Sequence, residues 1–174
     1  MGTTLLASGD LPAVLTAMKS RFDQDRGTLF LTFNDRTGKQ VDFDLRGSLP
    51  EVLARYEPAP VRVGPGRPKL GVIAREVSLL PRHWEWLEQQ PSGASAAIRR
   101  LVEDARKRDP GEQQARLAIE AAGRFLSAMA GGFPGYEEAS RALYARNHSR
   151  FTNLIKEWPR DIRLHTQRLV RGVF

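Results

Sequence analysis

REVSLLPRHWEWLEQQPSGASAAIRRLVEDARKR, residues 75–108, is the stretch on which the fold turns. Arg75 to Leu80 is short and alternating, the pattern of a half-buried strand. Pro81 suits the first turn of a helix that runs to about Gln89. Pro91-Ser92-Gly93 turns the chain. A second helix then spans about Ala94 to Lys107, with Ser92 or Ser95 to cap it and Ile98, Leu101, Val102 and Ala105 as its apolar stripe. Strand, helix, turn and helix in so short a stretch bury little apolar surface within one chain. A lone strand leaves its backbone groups unpaired, and two short helices make a thin core. Antiparallel pairing of two copies about a two-fold axis answers both deficits and leaves a two-stranded ribbon, an element that fits the DNA major groove.

Outward from this stretch, charge and composition change. Residues 1–59 carry 7 basic and 8 acidic side chains, residues 60–108 carry 10 and 5, and residues 109–174 carry 10 and 7. The positive excess therefore begins near residue 60, and such a footprint attracts a polyanion or an acidic partner. From Glu57 to Lys69 the chain reads EPAPVRVGPGRPK and holds Pro58, Pro60, Pro65 and Pro68, so residues 58–70 read as an extended basic linker without helix.

Before the linker, residues 1–57 read as a small α/β module. Leu11, Val14, Leu15, Met18 and Phe22 fall at helical spacing behind Asp10 as N-cap. Leu29, Leu31 and Phe33 share one face of a strand, as do Val41, Phe43 and Leu45. Asn34 to Lys39 between them has hairpin turn chemistry, with Gly38 available for positive φ. A short helix from Leu49 to Tyr56 closes the module. Asp42 and Asp44 alternate with the apolar residues and lie with Asp35 on its solvent side, where charge blocks edge association; no His or third carboxylate completes a metal cage.

Residues 109–174 read as helical. Glu112 to Ala130 carries Leu117, Ile119, Phe125 and Leu126 and stops at Gly131-Gly132. Tyr136–Arg146 and Ser149–Trp158 follow, with Leu143, Tyr144, Phe151, Ile155 and Trp158 as core candidates. Pro159 starts a last helix through Ile162, Leu164 and Leu169. His83, His148 and His165 are far apart in sequence and read as surface or interface residues rather than ligands. Trp84 and Trp86 cannot share a helix face, so one is assigned to the core and the other to a contact.

The chain has 174 residues, no cysteine, 41% hydrophobic residues, and 27 Lys and Arg against 20 Asp and Glu. That suffices for a buried core, and it excludes disulfides and thiolate chemistry. The opening Met1-Gly2-Thr3-Thr4-Leu5-Leu6 is a poor signal peptide, and no apolar run reaches the roughly 20 residues of a membrane span. A cytoplasmic protein without membrane contact is the expectation. No nucleophile elbow or P-loop appears, so neither an enzyme nor a cofactor is expected.

Leu80-Pro81, Trp84, Leu87 and Gly93-Ala94-Ser95 leading into Ala97-Ile98-Arg99-Arg100-Leu101-Val102 resemble the ribbon-helix-helix DNA-binding family. The resemblance implies that Arg75, Val77 and Leu79 face DNA, or that a one-residue shift turns Glu76 and Ser78 outward instead. It also implies that Ser92, Gly93 and Ala94 lie near a phosphate at the second helix's amino end, with Ser95, Arg99 and Arg100 beside them. Gly66-Arg67-Pro68 with Lys69 resembles the core of an AT-hook, whose Arg enters the minor groove of A·T-rich DNA. From LLASG through GRPKLGVIAREVSLLPRHWEWL to SAMAGGFPGYEEASRALYA, the chain further resembles an uncharacterised bacterial family, domain of unknown function 2239, a resemblance that implies no activity.

The sequence thus predicts an α+β chain: a small α/β module with a β-hairpin (1–57), a linker (58–70), a ribbon-helix-helix-like unit (71–108) and a helical carboxy-terminal region (109–174). Its predicted function is DNA binding as a homodimeric transcriptional regulator. The alternatives are a protein-interaction adaptor with the same dimer and no DNA, and an enzyme with a site assembled across the modules.

Overall fold

Asp10, Ser48, Pro81, Gly135, Asn147 and Pro159 mark where helices begin, and helices are the only extended regular elements among the described residues. The computed structural model describes residues 2–58, 71 and 73–173. The helices are α1 (Leu11–Gln24), α2 (Leu49–Tyr56), α3 (Pro81–Glu88), α4 (Gly93–Arg108), α5 (Pro110–Ala130), α6 (Tyr136–Tyr144), α7 (His148–Leu154) and α8 (Arg160–Leu169). Their starts have local causes. The Asp10 carboxylate accepts the Ala13 N–H at 3.0 Å. Glu51 reaches back to the Ser48 N–H at 2.7 Å, and the Asn147 side chain accepts the Arg150 N–H at 3.0 Å.

The expected α+β class is overturned. Among the described residues the hairpin of 29–45 is reduced to one antiparallel bridge, Phe33 with Gln40. The turn itself forms as its residues predict. Asn34 O accepts from Gly38 N at 2.7 Å, the Asn34 side chain accepts from Arg36 N and Thr37 N, and Gly38 has φ +65°. Beyond Val41 N–H to Thr32 O, at 2.8 Å, the arms part. The cause lies in α2, which serves the backbone that a second strand would have served. Tyr56 Oη accepts the Asp44 N–H at 2.7 Å, while Arg55 donates to Asp44 O at 2.5 Å and to Arg46 O at 3.2 Å. Arg46 closes the corner on the Asp44 carboxylate, and its hydrogen bonds hold that carboxyl far below the usual range. Phe30 and Phe43 consequently turn onto α1 and α2, whereas Leu29 is 80% exposed and shares no face with Phe33.

The chain divides into two compact units, Met1–Glu57 with Gly111–Phe174, and Pro58–Pro110. In the first, Leu15, Met18, Leu45 and Val52 form one core cluster. A larger one gathers Phe125 and Leu126 of α5, Leu143 of α6, Phe151 of α7 and Ile162 of α8, with Ile155 and Trp158 from the α7–α8 connection. Trp158 donates its indole N–H to Pro134 O at 3.1 Å, pinning the turn after α5. Tyr144, expected in this core, is 57% exposed.

The 34–38 turn joins the two clusters. Phe33 meets Phe125 edge to face at 5.0 Å, and Arg124 donates to Thr37 O at 2.7 Å. His165, read from sequence as a surface or interface residue, is buried under this turn, its Nε2 3.5 Å from Asp35 Oδ1. Gly38 lies on α5 so closely that a Cβ would overlap the Ala121 carbonyl oxygen and stand 2.7 Å from Ala121 Cα. Gly38→Ala is therefore expected to cost about 2–4 kcal/mol in denaturant unfolding, since strained φ and backbone overlap combine. Gly135→Ala, with φ +75° but nothing within 4 Å, is expected to cost only about 1 kcal/mol; equal losses at the two sites would refute the seating of Gly38.

Candidate nucleic-acid interface

Pro81 fixes the first turn of α3, and Leu80 enters it with extended backbone, φ −66° and ψ 150°. The helix ends after two turns. Gln90 N–H bonds Leu87 O at 3.2 Å and Gly93 N–H bonds Gln90 O at 3.1 Å. Ser92 and Gly93 then take consecutive left-handed conformations, φ 70° and 75°, which reverse the chain into α4. Ser92 occupies the N-cap position without a side-chain capping bond. Gln90 ties the two helices: its amide donates to Trp86 O at 3.2 Å and accepts from Arg100 Nη2 at 3.4 Å.

The pair has almost no interior of its own. Leu87 is the buried residue of α3 and Ala97 that of α4. Trp84 and Trp86 are both exposed, so the assignment of one of them to a core is corrected. Leu101 and Val102, half of the stripe expected to pack, are 43% and 51% exposed. Ile73, Val77 and Leu80 add further uncovered apolar surface ahead of α3. Isolated apolar residues at a surface are ordinary, but here seven of them, Ile73, Val77, Leu80, Trp84, Trp86, Leu101 and Val102, are uncovered among the described residues.

Arg75 to Leu80 is not a strand in the single chain, a second correction to the α+β reading. The reason is the absence of a ladder: no backbone group of 73–79 bonds another described residue. Arg75, Val77 and the intervening Glu76 are all exposed, and Leu79 is half-buried, so an inward and an outward face are not distinguished. Without a partner no pleat fixes the register.

The remaining predicted site residues fall on α4 and its approach. Ser92, Gly93 and Ser95 are exposed and Ala94 is half-buried at the amino end of α4, where the Gly93 N–H is already taken by Gln90 O. Arg99 and Arg100 follow on the next turn, also exposed. Arg106 pairs with Glu103 at 2.9 Å, yet no carboxylate among the described residues lies in ion-pair range of Arg75, Arg82, Arg99, Arg100, Lys107 or Arg108. Arg67 and Lys69 lie outside the described residues. Sequence reasoning missed Gln90 as the group that orients Arg100; its place beside the Pro91 turn was the available signal.

Elsewhere, no set of three or more His, Asp or Glu able to hold a metal occurs among the described residues, and no described helix is long and apolar enough to cross a membrane. No curated protein and no solved structure matches the chain. Its sequence fits one family pattern over residues 1–170, and the chain belongs to that family, described as uncharacterized protein conserved in bacteria (DUF2239).

Proposed function

We propose that this is a cytoplasmic DNA-binding protein, a homodimeric transcriptional regulator whose contacts lie in residues 66–108. One observation carries the reading. The Pro58–Pro110 unit leaves its apolar residues, its unbonded 73–79 backbone and its unpaired cations exposed together. A second copy covers the apolar face of α3 and α4 and supplies the ladder for 75–80. Arg75, Val77 and Leu79, or Glu76 and Ser78 in the shifted register, then face the bases. Ser92, Gly93 and Ala94 lie near a phosphate at the amino end of α4, where Ser95, Arg99 and Arg100 add contacts. Arg67 and Lys69 form a minor-groove arm.

The exposed Trp86, Leu101 and Val102 favour one rival, an adaptor that uses the same face for another protein. Two measurements decide. Sedimentation at micromolar concentration should give twice the 19.5 kDa chain mass, and Val102→Asp should halve it by placing a charge in the contact. Anisotropy with labelled genomic fragments should show affinity falling steeply with salt, and removing both Arg99 and Arg100 should lower the magnitude of the log–log slope by about 2. A monomer removes the paired segment. A dimer that binds no fragment at low salt transfers the site to the adaptor reading.

A further inference from the structure

Residues 2–9 precede α1 without regular structure and are fastened to α8 at two points. The Leu5 N–H donates to Asp161 Oδ2 at 2.8 Å, and Arg168 Nη1 donates to Ser8 Oγ at 3.2 Å. The other amino group of Arg168 lies 2.7 Å from His165 Nδ1. A guanidinium only donates, so Nδ1 accepts and the imidazole proton sits on Nε2. That Nε2 is buried without a hydrogen-bond partner, and the imidazole ring packs on the Phe125 ring with centroids 4.4 Å apart.

We propose that His165 is a proton-operated latch for the amino-terminal segment. Protonation turns Nδ1 from acceptor to donor, so that it faces the Arg168 guanidinium donor to donor and cation to cation. Arg168 swings away and its bond to Ser8 is lost, while the imidazolium Nε2–H draws toward Asp35.

The groups around the ring fix the sign. On α8, Asp161 lies one turn before His165 and Arg168 one turn after. The 34–38 turn contributes Asp35. The α5 side presents the Phe125 ring, with Arg124 occupied by Thr37 O and Glu120, and the amino-terminal segment presents the uncharged Ser8. Burial, opposed by Asp35 and aided by Arg168, holds His165 below its ordinary value of 6.5. The folded chain therefore favours neutral His165, and the stability this contributes is complete above about pH 6.5 and lost as pH falls from there through the lower folded value.

Amide hydrogen exchange of the full chain tests the latch. The protection factor of the Leu5 N–H should fall about tenfold between about pH 7.5 and about pH 5. His165→Gln, which keeps an acceptor for Arg168 and does not titrate, should abolish that response. Ser8 is exposed, so Ser8→Ala leaves the fold intact. It should show low protection at both pH values whether or not the His165 variant folds. A wild-type protection factor that does not change with pH overturns the proposal, as does a full pH response in either variant.

Discussion

The seating of a five-residue turn on a distant helix holds the main unit together. Asn34 to Gly38 is a local structure, closed by its own side chains, but it presents Phe33, Thr37 O and the bare Cα of Gly38 to α5. Arg124 reaches across 87 residues of sequence to hold it. The loop-closure cost of such a contact grows only with the logarithm of the intervening length, so the chain carries residues 58–110 as an excursion at modest expense. Once the turn is in place, Phe33 extends the carboxy-terminal core while Phe30 and Phe43 complete the amino-terminal one.

The helices were legible because their signals are local. Leu49 to Tyr56 is delimited by Ser48 and Glu51, α3 by Pro81, and the break before α4 by Pro91-Ser92-Gly93. The strands were misread because alternation records which side chains are apolar and says nothing of what the backbone bonds. At Asp44 to Arg46 the partners are side chains of α2, Tyr56 and Arg55, and no periodicity in 41–45 encodes that choice. Leu29 shows the same limit: its neighbour Phe30 takes the buried side. His165 was read as a surface or interface group for want of an i, i+4 companion or a carboxylate at ligand spacing, yet its companion Asp35 arrives from the far end of the chain.

In residues 75–108 the helices were legible and what covers them was not. The residue types in 75–108 locate two helices, a sharp turn and a row of cations correctly along the chain. The apolar stripe at Leu101 and Val102 is also real, but a stripe is the same whether its cover is this chain or another molecule. The exposure of both Trp84 and Trp86 lies beyond sequence for that reason. A spacing of two requires different faces, and it does not require that either face be covered from within.

The three tryptophans are distributed between the units in a useful way. Trp158 sits in the main unit, shielded and with its indole N–H engaged, while Trp84 and Trp86 stand at the surface of the central helix pair. The molecule consequently carries two intrinsic fluorescent probes of opposite character. A soluble quencher such as iodide reaches the surface pair and spares the enclosed ring, so the two units report separately on their surroundings without any label.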